Sequence, residues 1–152
     1  MAGRIMIFLF LILLAAWLQG GYFTIAGIKP NFLLAVFIAL SFLVKNFWTY
    51  GILSVVGMIA LRSAPVFSWD LVSFLLVLMA LFFFRRFLPW HDVINFIAAA
   101  TFATALLYLL LDPSFIAWHP FLVSFELFLT LAMGGAMLLL LHRYAEEPGL
   151  RF

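Results

Sequence analysis

The chain reads as apolar runs separated by short polar punctuation. Arg4 precedes a run from Ile5 to Leu18 that continues through Gln19-Gly20-Gly21 into Tyr22 to Ile28 and closes at Lys29-Pro30-Asn31. Phe32 to Val44 follows and stops at Lys45-Asn46, and Phe47 to Leu61 stops at Arg62 and the turn residues Ser63-Ala64-Pro65. A fourth run, Leu71 to Phe84, begins after Trp69-Asp70 and ends at Arg85-Arg86. The turn Pro89-Trp90-His91-Asp92, with Asp92 as a capping residue, leads into Val93 to Leu111. Asp112-Pro113 breaks that run, Trp118-His119-Pro120 opens Phe121 to Leu141, and His142-Arg143-Tyr144 closes it. Several runs lack the alternation of barrel strands, and all are too long for such strands, so helices are expected.

A hydrocarbon layer about 30 Å thick takes about 20 apolar residues per crossing helix, so 152 residues hold six crossings and little else. The expectation is an all-α integral membrane protein, a compact six-helix transmembrane domain over residues 1–144 with a short polar cytoplasmic tail over 145–152. Composition agrees, since 68% of residues are hydrophobic and only 9% charged, a balance that excludes a water-soluble surface. Soluble catalytic and nucleotide-binding domains have no room. Cysteine is absent, which removes disulfides and thiolate metal sites. The N-terminal run has the charge and apolarity of a signal peptide, but Trp17-Leu18-Gln19 stands where small residues are needed for cleavage, so an uncleaved first helix is expected.

Lys and Arg in short loops stay on the cytoplasmic side. Six spans put Arg4, Lys45, Arg85, Arg86, Arg143 and Arg151 at one face, against Lys29 and Arg62 at the other. Both termini are therefore expected in the cytoplasm, with Trp48, Trp69, Trp90 and Trp118 at the membrane interfaces. The basic excess calls for no nucleic-acid partner.

Chemistry is sparse. His91, His119 and His142 sit at helix ends without metal-ligand spacing, and no nucleophile motif or phosphate loop occurs, so neither an enzyme, a metal nor a cofactor is expected. Glu126 is the one acidic residue inside an expected span, and such groups face the protein interior. Thr130 and Gly134 follow it at helical spacing, giving a polar-to-small stripe. Glu126 is expected to be shielded from lipid, either hydrogen-bonded or paired with Lys29 or Arg62. Thr101, Thr104, Ala105 and Tyr108 share a face of the fifth helix beside Ala99, and Gly51, Ser54 and Gly57 lie close together on the third. These small-residue faces are expected to pack helices, either within the bundle or against a partner, with Gly57→Leu and Ala99→Leu uncoupling that partner.

The order of segments resembles the MreD family of the bacterial rod-shape and cell-wall elongation machinery. The likeness rests on Pro30-Asn31 before Phe32-Leu33-Leu34, on the glycine-containing Gly51 to Gly57, on Ala64-Pro65-Val66-Phe67, and on Phe84-Arg85-Arg86, and it covers Ile5 to Leu111. The chain departs from that family at Leu61-Arg62, where an Asp is common, so no role of that acid carries over. The resemblance implies a non-enzymatic scaffold in the bacterial inner membrane. Its partners would be an MreC-like protein and an elongation synthase of RodA with a class B penicillin-binding protein, alongside MreB filaments. The architecture is also similar to the substrate-binding S components of energy-coupling-factor vitamin transporters. That likeness would imply a vitamin or metal bound at the outer face. Against it, Leu9 to Leu14 is uniformly bulky where such proteins dock through small residues, and the outer loops are poor in polar groups.

Overall fold

The structure, a computed structural model, describes residues 2–21, 24–25, 28, 30–61, 68–88 and 92–146, without the side chains of 2–4, 92 and 142–146. The fold of the described residues is all-helical, with seven α-helices among them: α1 Ala2–Gly20, α2 Phe32–Leu43, α3 Phe47–Leu61, α4 Trp69–Phe84, α5 Asp92–Leu111, α6 Pro113–Trp118 and α7 Pro120–Glu146. A 3-10 turn, Arg85–Phe87, extends α4. Among the described residues two segments are long and apolar enough to cross a membrane, Val93–Leu111 in α5 and Pro120–Leu141 in α7. Lys29, Arg62, the Ser63-Ala64-Pro65 turn, Trp90, His91, Arg151 and the tail from 147 onward lie outside the described residues, as do the side chains of Arg4, Asp92, His142 and Arg143.

The shortest of the expected spans forms the centre. Helix α2 touches α1, α3, α4, α5 and α7, and every residue from Phe32 to Ser41 is buried. A 12-residue helix is only about 18 Å long. Its terminal amides and carbonyls therefore end inside the molecule, where each unmet polar group is costly. Other elements meet them. At its N-terminus Asn31 Oδ1 accepts from Leu34 N at 3.1 Å, and Gln19 Oε1, from the end of α1, accepts from Leu33 N at 2.9 Å. At its C-terminus the Arg85 guanidinium donates to Val44 O at 2.7 Å, placing a cation at the negative end of the helix dipole. That guanidinium lies 4.3 Å from the centroid of the Phe82 ring, with Arg86 at 5.2 Å from the same ring.

These bonds also define the two ends of the bundle. Lys45, Arg85 and Arg86 share one end, together with the start of α3. The opposite end holds Gln19, Asn31, and Trp69, whose indole N–H donates to Leu110 O at 3.3 Å. Trp48, Trp69 and Trp118 each sit near a helix end and are exposed.

Three boundaries differ from expectation. The first run is not one helix to Ile28: α1 stops at Gly20, and Ile25 and Ile28 exchange both backbone hydrogen bonds in a tight reversal. Consecutive Gly20-Gly21 raise the entropic cost of continuing the helix. Nineteen residues already give about 28 Å, and Gln19 can cap α2 only if the chain turns back there. The Asp112-Pro113 break holds a helix of its own, α6. Asp112 accepts from Ser114 N at 3.0 Å and Pro113 stands at the first helical position, where its missing N–H costs nothing. The last helix runs past Leu141 to Glu146, so the backbone of Ala145 and Glu146 belongs to α7, not to a tail.

Beside α2 the described helices leave a lateral opening. A groove of about 350 Å³ runs between α1 and α7 and is floored by α2, with Leu14, Ala15, Ala35, Ala132 and Met133 among its walls.

Candidate functional site

The intramembrane polar residues expected from sequence meet along one seam, between α5 and α7. The two helices run antiparallel. Near the Trp69 end the Tyr108 hydroxyl donates a short hydrogen bond to Glu126 Oε2. Two turns further along α7, a Cβ added to Gly134 would lie 2.9 Å from Phe96 Cζ of α5 and 3.1 Å from Ala35 O of α2. Only a glycine lets three helices approach this closely, and Phe96 is three turns before Tyr108 on the same stripe of α5. The seam thus has a tyrosine–glutamate pair at one end and a phenylalanine–glycine contact at the other.

Thr104 and Thr130 lie between these contacts, one helical turn from Tyr108 and Glu126 respectively. They are 2% and 1% exposed, and neither hydroxyl has a hydrogen-bond partner. Two other buried hydroxyls instead bond back to their own helix. Ser54 donates to Tyr50 O at 2.9 Å and Ser41 to Ile38 O at 2.7 Å. Thr101, on the same helix as Thr104 but exposed, donates to Ile97 O at 2.9 Å. The two seam threonines forgo this bond. A further buried hydroxyl without a partner, Ser73 Oγ, sits on α4.

Helix α6 roofs the seam. Phe115 stacks on the Tyr108 ring with centroids 5.3 Å apart and planes 3° from parallel, and exposed His119 leans on Phe115 at 4.9 Å. Asp112 holds the roof in place, accepting from both the amide and the hydroxyl of Ser114. The Ser114 hydroxyl, helped by the amides of Ser114 and Phe115, holds the Asp112 carboxyl below the usual aspartate range.

Glu126 is hydrogen-bonded within the bundle, and its partner among the described residues is a tyrosine, not a cation. The remaining small-residue positions divide. Gly57, Ser54, Ala99 and Gly134 are buried in packing between the chain's own helices, and Thr104 is buried with its hydroxyl unpartnered. Gly57 faces the Phe37 ring and Ile12, so it is a contact of α3 with α1 and α2 and is closed to any partner. Gly51 has open space where a Cβ would project, Thr101 is exposed, and Ala105 is half-buried. Among the described residues, no three His, Asp or Glu side chains gather as a metal cluster. No family model, curated protein or solved structure matches the chain.

Sequence reasoning missed two residues. Gln19 read as part of an apolar run although it caps α2, and Phe115 read as a loop residue although it closes the seam. Asp112-Pro113-Ser114, a cap followed by a proline at the first helical position, was the available signal for the second.

Proposed function

We propose that this protein is a membrane scaffold that crosses the bacterial inner membrane six times, with both termini cytoplasmic, and acts by holding the helices of partner proteins. The observation that carries the reading is the distribution of large apolar side chains. Met6, Phe10 and Trp17 on α1, Ile52 and Ile59 on α3, Ile94 and Ile97 on α5, and Phe128 and Leu139 on α7 all point outward, while Thr104 and Thr130 are buried. In water such a rim is untenable, and in hydrocarbon it costs nothing. Helices α1 to α5 and α7 are the six crossings and α6 lies along the outer interface. The clustering of Lys45, Arg85 and Arg86 at one end favours that end as cytoplasmic.

The resemblance to MreD supplies the partners of the proposal, an MreC-like protein and the elongation synthase. Without a hydrophobic drive between helices in lipid, a partner surface has to be close-packed and small. Of the small-residue positions, Gly51 and Thr101 are the ones that remain open to the outside.

Topology is tested by single cysteines in the cysteine-free chain. Lys45→Cys should be protected from an impermeant thiol reagent in intact cells and Ala117→Cys should react; the reverse pattern overturns the orientation. Partnering is tested by co-purification with an MreC-like protein, lost on Gly51→Leu or Thr101→Leu while the bundle stays folded. A vitamin retained on purification, or an ATP-hydrolysing module in its place, would instead make the chain a transporter component.

A further inference from the structure

The seam carries an unexplained cost. Burying a hydroxyl without a partner is unfavourable, and two of them one turn from a carboxylate, on facing helices, require a reason. The antiparallel register that sets Tyr108 beside Glu126 and Phe96 beside Gly134 brings Thr104 level with Thr130 between those two contacts. Four oxygen-bearing side chains thus share one stretch of the seam: the Glu126 carboxylate, the hydroxyls of Thr104 and Thr130, and the Tyr108 phenol, which donates a hydrogen bond to Glu126 and has lone pairs with which to ligate. Side chains one turn apart on a helix are neighbours at about 5–6 Å, close enough for one small cation to be shared by groups on the two facing helices.

We propose that this seam binds one monovalent cation of the size of sodium, stripped of most of its water, between Glu126, Thr104, Thr130 and Tyr108. The donor set is all oxygen, which selects hard cations over zinc, copper or iron. The charge count selects valence: one carboxylate neutralises one monovalent ion, whereas a divalent ion would leave a net charge inside a low-dielectric seam. Phe115 covers the site from the outer face, and Phe96 against Gly134 closes it from below. The bound ion would tie α5 to α7 through groups that otherwise repay none of their burial. This site is independent of the partner surface, since none of its residues is among the outward small positions.

The test is the melting temperature of the full-length purified protein in detergent micelles, in sodium chloride against N-methylglucamine chloride at equal ionic strength. A saturable rise in Tm with sodium is expected, roughly 3–6 °C at ten times the dissociation constant. Thr104→Val and Thr130→Val, singly and together, should abolish the sodium response. In the sodium-free salt they should melt at or above the wild type, because they remove an unpartnered hydroxyl. Broadening of the sodium-23 resonance by the wild type but not by Glu126→Gln gives a second readout that does not depend on how well the valine variants fold. Equal melting temperatures in the two salts, or a sodium response that survives both valine substitutions, would overturn the proposal.

Discussion

Gly51 and Gly57 lie on the same helix, and Gly→Ala at each should act in opposite directions. Alanine in a helix interior is favoured over glycine by up to about 1 kcal/mol, and that term is common to both sites. At Gly51 nothing lies within 4 Å of the new methyl, so the gain is kept. At Gly57 the methyl would sit 2.6 Å from Phe37 Cε2, 2.9 Å from Cζ and 3.3 Å from Ile12 Cγ2. Carbon atoms pack at about 3.5–4.0 Å, so the ring must retreat by about 1 Å. It has little room to do so, because Phe37 and Ile12 are fully buried and the ring meets Tyr50 edge-on at 5.9 Å. Tyr50 in turn donates to Phe37 O at 3.3 Å, which ties the ring's neighbour to α2. Overpacking of this kind costs about 1–3 kcal/mol. Net of the helix gain, Gly57→Ala should destabilise by about 0.5–2 kcal/mol, and Gly57→Leu by more, through loss of the fold and not through loss of a partner. Equilibrium unfolding in mixed micelles of increasing denaturing-detergent fraction measures both variants against the wild type. A Gly57→Ala protein as stable as Gly51→Ala would refute the steric reading, since the two differ only in what the methyl meets.

Three further outcomes are expected. Arg85→Met should retain most of the packing against Phe82 but leave Val44 O without its charged donor, a loss of about 1.5–3 kcal/mol before solvent screening, read as a lowered unfolding midpoint that Arg85→Lys recovers in part. Tyr108→Phe and Glu126→Gln should be strongly non-additive in a double-mutant cycle, with a coupling of about 1 kcal/mol or more; additive effects would mean that the bond contributes nothing. Acidification should loosen α6: the Asp112 carboxyl is held below its usual range when folded, so its contribution is complete above the ordinary aspartate pKa and is lost as pH falls through the lower folded value, read as faster amide exchange at Ser114 and Phe115.

Helicity and the hydrogen bonding of Glu126 within the bundle were legible in the chain because they follow from local rules. A run of apolar residues must satisfy its own backbone, and a lone carboxyl must leave lipid. The stripe Glu126, Thr130, Gly134 follows from a period of 3.6 residues, and the structure sets its two ends, Glu126 and Gly134, against α5. What helical spacing cannot supply is the neighbour across the gap. Nothing in the run Phe32 to Leu43 marks it as the helix that five others enclose, since its uniform apolarity suits lipid and protein equally well. Gln19 and Arg85 became its caps only when α1 and α4 brought their ends to its termini, contacts separated by 14 and 41 residues in sequence. Gly57 and Gly51 are equivalent by sequence, yet one is pressed against Phe37 and the other opens outward, because a helix period fixes which residues share a face and only packing decides what that face meets. The same holds for the partner of Glu126. A buried hydrogen bond was one of the two expectations for it, and the antiparallel register of α5 and α7 decided that Tyr108 is the donor.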